Sequence, residues 1–314
     1  MLHVSASPHI RDRVTTRSIM LRVIIALIPV IIASSFIFGL RAPMMFAVSA
    51  AAAAGFEAIS RVVMKRQQTV GDLSAIVTGL LIAASLPANC PLWVLVIGDF
   101  IAIVVVKQMF GGLGDNFANP AVTARIVLSV SFAGQLAGYS VLDKFVSGSG
   151  VDLVSSATPL MVAKSGQGAL PSVLDLFLGR HAGSIGETCV LALLIGGIFL
   201  VISGIIDLWT PLTFIGTTVL FVTLTGQDPF VHLLSGALIL AAIFMVTDYV
   251  TTPTTIAGKI IFGAGAGLLT GLLRVYSAMP EGVSFAILLM NILTPHIERW
   301  TTPKTIGGVK HAGK

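Results

Sequence analysis

Apolar runs of about 20 residues recur along this chain. Each is long enough to cross a hydrocarbon layer ~30 Å thick as a helix. Ten such spans can be drawn, at approximately 19–40, 43–63, 71–87, 92–110, 120–138, 187–207, 211–225, 231–249, 258–276 and 282–299. Of the 314 residues 55% are hydrophobic and 11% charged, whereas a soluble domain carries about 25% charged residues. The mean hydropathy of +0.96 agrees, because so little polar surface cannot cover a water-facing globule. The expectation is an all-α, multi-pass membrane protein embedded in lipid.

The net charge of +5 is not gathered into a stripe that would bind phosphates, so nucleic acid is excluded as a partner. Basic residues fall instead between apolar runs, where they set topology. With the amino terminus inside, the inner segments hold Arg11, Arg13, Arg17, Arg61, Lys65, Arg66, Lys107, Lys259 and the tail group Arg299, Lys304, Lys310 and Lys314. The outer segments hold Arg41, Lys144, Lys164, Arg180 and Arg274. The bias places both termini in the cytoplasm, which an even number of spans satisfies. Arg11, Arg13 and Arg17 precede a long apolar run without a small-residue cleavage site, so the start does not read as a cleavable signal. Cys90 and Cys189 stand alone, with no CxxC or Cys/His cluster for zinc or iron–sulfur. None of the six histidines forms a metal or haem pair.

Residues 139–186 form one long polar insertion, rich in Gly and Ser, on the outer side. Long ordered loops of this kind are usually functional. The insertion divides the chain into 1–138, with the amino-terminal arm and five spans, and 187–314, with five spans and the tail. The third span of the first half begins at Asp72 and carries a Thr78-Gly79 step; its counterpart begins at Asp228 and carries Ser235-Gly236. Five is odd, so a five-span repeat inserts with opposite orientation, giving two inverted repeats and a binding site where they meet. Chance similarity between two apolar helices is the competing reading of so short a match.

Three stretches offer chemistry. In the outer insertion, Ser155-Ser156-Ala157-Thr158-Pro159-Leu160 has small residues that leave the Thr158 hydroxyl open to accept a phosphoryl group, and Pro159 biases Thr158 away from helix. The bland alternative is a Ser/Thr-rich turn. The glycine segment 111–120 interrupts apolar sequence, and irregular backbone at such depth must be buried in protein or line a cavity. There Asn116 and Asn119 suit an amide-rich ring or a cation, against an ordinary Gly-rich turn. Thr247-Asp248-Tyr249-Val250-Thr251-Thr252-Pro253 offers oxygens of the kind hard cations prefer, against a capped helix end. Of the other acids, Asp99 lies mid-span with Lys107 two turns along, an expected ion pair or proton relay. Glu57 and Asp207 are expected to snorkel to the inner interface. Asp248 and Asp99 are thus the ion-coupling candidates.

Taken together these stretches resemble the D subunits of Rnf complexes, the ferredoxin:NAD oxidoreductases that pump Na⁺ or H⁺. They are also similar to the related B subunits of sodium-pumping NADH:quinone reductases. The resemblance runs along nearly the whole chain, through "SPHIRDRVTTRSIMLRVIIALIP" (7–29), "GGLGDNFANPA" (111–121), "SSATPL" (155–160) and "TDYVTTP" (247–253). It implies FMN bound through a phosphoester to Thr158, with Ser155 and Ser156 beside it, attached on the outer face by a flavin transferase. It further implies a noncovalent riboflavin between the halves, near Asn116 and Asn119, and partners among the other subunits of the complex. The implied setting is a bacterial or archaeal cell membrane, with the flavin loop extracytoplasmic and a fold similar to urea transporters. Two departures stand out. The family usually shows GGxGxN followed by FNPA, but here Phe117 precedes Ala118; and Tyr249 replaces the Pro of TDPV.

The chain has neither a nucleotide fold nor iron–sulfur ligands, so it reads as a flavin scaffold within an enzyme complex and not as an enzyme alone. The quinone-reductase subunit is the nearer alternative, though only about 18 residues precede the first span, fewer than that relative usually carries. A solute channel of urea-transporter type and a purely structural assembly subunit with unmodified Thr158 are the others.

Overall fold

The computed structural model describes residues 14–141, 154–166, 168–277 and 281–303. Helix α1 (Thr16–Phe38) begins where local chemistry dictates. Thr15 accepts the Ser18 amide at 3.2 Å while the Ser18 hydroxyl oxygen accepts the Thr15 amide at 3.1 Å, a reciprocal cap. Its Leu21, Ile25, Ile28, Ile32 and Phe36, spaced three or four apart, face outward at 41–74% exposure, while Ala26, Leu27, Val30 and Ile37 are buried. An outward stripe of large apolar side chains inverts the pattern of a water-soluble helix. Lipid is the solvent that this stripe fits, and the chain is a helical membrane protein.

The rest of the first half comprises α2 (Arg41–Val63), α3 (Ser74–Ala84), α4 (Leu92–Phe100) and α5 (Pro120–Ser131), with a single turn, α6 (Ala133–Leu136), after it. Helix α4 runs straight into a π-helical stretch, Ile101–Gln108. Strand β1 (Tyr139–Val141) then pairs antiparallel with β2 (Val154–Ser156), and the short helices α7 (Pro159–Ser165) and α8 (Val173–Leu178) follow. The insertion expected as a polar loop therefore holds a small strand ladder and two helical turns. The second half comprises α9 (Val190–Ile202), α10 (Trp209–Leu224), α11 (Pro229–Leu234), α12 (Leu238–Phe244), α13 (Ile256–Tyr276) and α14 (Val283–Thr301).

Among the described residues three helices, α1, α2 and α13, are by themselves long and apolar enough to cross a membrane. The other expected spans are shorter or broken. The third is α-helical only over Ser74–Ala84, after a 3-10 turn at Val70–Asp72. The eighth splits into α11 and α12 at Ser235-Gly236, where Gly236 takes φ +68, a left-handed value that favours glycine. The two sequence counterparts share their entry but not their course. Asp72 accepts the amide of Ser74 at 2.7 Å, and Asp228 that of Phe230 at 2.8 Å.

Packing neighbours recur across the chain. In the first half α2 touches α3 and α4, α5 touches α3 and α4, and α1 touches α3. In the second, α10 touches α11, α12 and α13, α14 touches α12 and α13, and α9 touches α12. Among the described residues the halves pack together where α1 meets α9 and α5 meets α14. The first is very close, since a Cβ on Gly196 would stand 2.2 Å from the Ala26 carbonyl oxygen. A backbone tie adds to them: the Ile185 and Gly186 amides donate to the carbonyls of Leu86 and Ala84 at 3.0 and 2.7 Å.

Candidate functional site

The glycine segment and the Thr247–Pro253 stretch meet at one cavity. Its volume is about 90 Å³. Both halves supply its wall: Ser74, Lys107 and Asn116 from the first, Thr247, Asp248 and Tyr249 from the second, with Ile and Leu side chains between. The backbone around it needs its glycines. Gly111, Gly112 and Gly114 all have φ above +100, and a Cβ on Gly112 would sit 2.2 Å from the Arg61 guanidinium. Irregular backbone is tolerated here because the protein itself encloses it.

The polar groups of this cavity divide in two. Asn119 is largely occupied: its Oδ1 caps α5 by accepting the amides of Ala121 and Val122 at 3.0 and 3.3 Å. Its Nδ2 makes only long contacts, 3.5 Å, to Asp248 Oδ2 and the Met245 carbonyl. Asp248 accepts the Thr251 hydroxyl at 3.1 Å, so the expected oxygen cluster exists, though the same residues also serve as turn and cap. Asn116 is different. Its side-chain oxygen is buried and has no donor among the described residues. Phe117 leans away, tilted against Phe110 at 4.8 Å between ring centres and 45% exposed, so it is not part of the cavity wall.

Thr158 lies apart from this cavity, as the cap of α7, with its Oγ1 accepting the Met161 amide at 3.3 Å. The sequence suggested an open hydroxyl; the residue is 5% exposed. The reason is local, for capping turns the side chain back over the helix start. Ser155 and Ser156 pair through β2 with Ser140 and Tyr139 of β1; their side chains lie outside the described residues.

The intramembrane acids correct the sequence reading most. Lys107 does not pair with Asp99. Its Nζ instead meets Glu57 Oε1 of α2 at 3.1 Å and donates to Ser74 Oγ at 2.6 Å. Glu57 does not snorkel: it is fully buried, and the same oxygen also accepts Thr69 and Gln108 at 2.8 and 2.9 Å. Asp99, also fully buried, accepts the Ser49 hydroxyl at 2.7 Å on Oδ1, while its Oδ2 has no partner among the described residues. Asp207 does reach out as expected, paired with Lys259 at the surface.

A second charged group escaped sequence reasoning altogether. Arg125 of α5 pairs with Glu281, ahead of α14, and lies 3.8 Å from Glu187, ahead of α9. No spacing in the chain signals contacts between residues more than 60 and 150 positions apart; an Arg inside an apolar helix was the available hint. Arg125 and Glu281 border a second cavity of about 340 Å³, with Tyr139, Met161 and Phe285. Burial and the carboxylates of Glu281 and Glu187 push the Tyr139 phenol above its ordinary range, so it stays an O–H donor. His181, in the loop after α8, is pushed down by burial and is neutral. No group of three His, Cys, Asp or Glu suited to a metal occurs among the described residues.

Residues 3–307 match the model of a family described as NQR2, RnfD, RnfE. The D subunit of the Na⁺-translocating ferredoxin:NAD⁺ oxidoreductase complex of Acetobacterium woodii is 45% identical, over 98% of this chain and 96% of its own. The D subunit of the proton-translocating ferredoxin:NAD⁺ oxidoreductase complex of Clostridium ljungdahlii is 40% identical, over 97% and 96%. The D subunit of the ion-translocating oxidoreductase complex of Salmonella paratyphi A is 36% identical, over 98% and 99%.

Proposed function

Because the chain belongs to the NQR2, RnfD, RnfE family, we propose that it is the D-type membrane subunit of an ion-translocating ferredoxin:NAD⁺ oxidoreductase complex. In this reading it holds FMN as a phosphoester on Thr158 and a second, noncovalent flavin between its halves, and the flavins pass electrons across the membrane. The observation that carries it is the cavity where Asn116 and Asp248, from opposite halves, face one space. That three relatives are named as the D subunits of such complexes supports the same assignment over the quinone-reductase and channel alternatives.

The residues fit the group. A bound flavin supplies the one- and two-electron chemistry that no side chain here offers. The unsatisfied Asn116 oxygen is an acceptor for a ring N–H, and the Ile and Leu side chains of the wall supply apolar contact. Lys107 places a cation at the same wall, held in position by Glu57 and Ser74. The Thr158 oxygen accepts one hydrogen bond and, among the described residues, its own hydrogen has no acceptor. Esterification replaces that hydrogen and leaves the cap bond in place. Asp248 and Asp99 are the carboxylates placed to take up a coupling ion.

The recurrent helix neighbours support a plan of two five-span repeats of opposite orientation, in which both termini are cytoplasmic and 139–186 lies outside. A flavin transferase and the other subunits of the complex are the partners this plan requires. The test is chemical. The subunit is coexpressed with its transferase, run on a denaturing gel and scanned for flavin fluorescence, and the peptide spanning Thr158 is weighed. A fluorescent band with the added mass of FMN, absent in Thr158→Ala, is expected; a dark wild-type band overturns the assignment.

A further inference from the structure

We propose that a third cavity, where α7, α11 and α13 meet, binds a phosphate-type oxyanion, supplied as a lipid headgroup or as the free ion. Its volume is about 100 Å³, room for several waters and so for one small tetrahedral anion. Its floor is Arg274 and His232, 2% and 5% exposed, and its rim is the exposed Lys164 and Gln227. Leu160 and Lys164 reach it from one face of α7, four residues apart, whereas Met161 lies on another face and lines the second cavity. The site is therefore separate from that cavity and independent of what Thr158 carries.

The two cations have structural work, but it does not use up their donors or their charge. Arg274 donates to the carbonyls of His232 and, at 3.2 Å, of Ser235, at the open end of α11. Lys164 donates to the carbonyls of Ser277 and, at 3.3 Å, of Arg274, at the end of α13. Yet Arg274 Nε and His232 Nδ1 are buried with no partner among the described residues. In the Nδ1–H tautomer of His232 both atoms are donors. Neither Arg274 nor Lys164 makes an ion pair among the described residues. The acids nearby are engaged elsewhere: Asp228, at the start of α11, accepts the Phe230 amide at 2.8 Å, and Glu281, across Gly236, pairs with Arg125. A buried guanidinium without a counter-charge is costly. Water would answer the orphan nitrogens but not the charge. An oxyanion answers both, with strong charge-assisted bonds to donors from three elements, and ties α7 to α11 and α13.

The experiment uses the whole complex in mild detergent. The temperature at which the subunit precipitates is measured in sodium phosphate and in sodium chloride of equal ionic strength. Gln227→Glu sets a carboxylate at the rim, and Lys164→Gln removes a rim cation; both residues are exposed, so the fold should survive either change. Phosphate should stabilise the wild type over chloride, and the concentration for half the effect should rise about ten-fold or more in each variant. Native mass spectrometry separates the two sources. One tightly held phospholipid in the wild type, missing from Gln227→Glu, assigns a headgroup, which would itself blunt the response to added phosphate. A phosphate response without such a lipid assigns the free ion. A wild type with neither a phosphate response nor a held phospholipid overturns the site, as does either one surviving unchanged in both variants.

Discussion

Replacing Lys107 with Met tests the buried charge hub directly. The pair it breaks is nearly sealed, with side chains 1% and 0% exposed and 3.1 Å apart. Removing one partner of a buried ion pair costs about 3–5 kcal/mol, because the other charge is left behind. Here Glu57 keeps two donors, Thr69 and Gln108, and Lys107 and Ser74 border a cavity that admits water, which sets the cost at the lower end, about 3 kcal/mol. Glu57→Gln alone strands the ammonium, but beside that cavity, at about 2 kcal/mol. The double variant has no stranded charge and should lie within about 1 kcal/mol of wild type. The coupling is then about 4 kcal/mol, well above the ~0.5 kcal/mol scatter of independent sites. Denaturant unfolding of the purified subunit in detergent, followed by circular dichroism, measures it. If the double variant loses the sum of the two single losses, the hub does not exist as described.

Gly112→Ala should destabilise the subunit by at least 1–3 kcal/mol, since φ is +115 and the new methyl meets Arg61; loss of the noncovalent flavin at normal expression is the accompanying readout. Gly196→Leu should separate α1 from α9, lowering thermal stability of the detergent-solubilised subunit by several degrees, whereas Gly204→Leu would test only its own turn. Asp99→Asn keeps an acceptor for Ser49 and relieves an unpartnered carboxylate, so folding should be unchanged or firmer while ion translocation by the assembled complex falls; pumping at wild-type rate removes Asp99 from the ion path. Tyr139 gives a pH prediction. Its phenol keeps its proton in the fold but ionises near pH ~10 when unfolded, so the unfolded chain binds fewer protons there and stability falls as pH rises above ~10. Melting curves from about pH 9 to 11 should show a shallower fall in Tyr139→Phe.

The sequence made the membrane class plain because lipid imposes it through composition alone: an outward stripe such as Leu21, Ile25 and Ile28 needs no tertiary information. The hydrogen bonds at Thr15, Asp72 and Asp228 are equally local, each joining residues two or three apart. A site between the halves was expected near Asn116 and Asn119, but no sequence signal joined the glycine segment to Asp248. What escaped was pairing across the bundle. Asp99 and Lys107 share a helix, and sequence proximity made them the natural pair, yet the partner of each comes from α2, about 50 residues back. Arg125, Glu187 and Glu281 come from three separate elements, and no periodicity couples them. For Thr158 the sequence suggested an open hydroxyl, but its capping role and burial depend on how the segment folds back and what covers it, which the hexamer does not encode.

Helix α3 holds one further consequence. Its first turns, at Ser74, Val77 and Thr78, face one cavity, and the residues just past its end, Ser85, Leu86 and Pro87, face the other. Eleven residues of helix measure ~16 Å. The spacing of the two hollows is therefore the length of one helix, and the amides of Ile185 and Gly186 fasten its far end to the stretch that precedes α9.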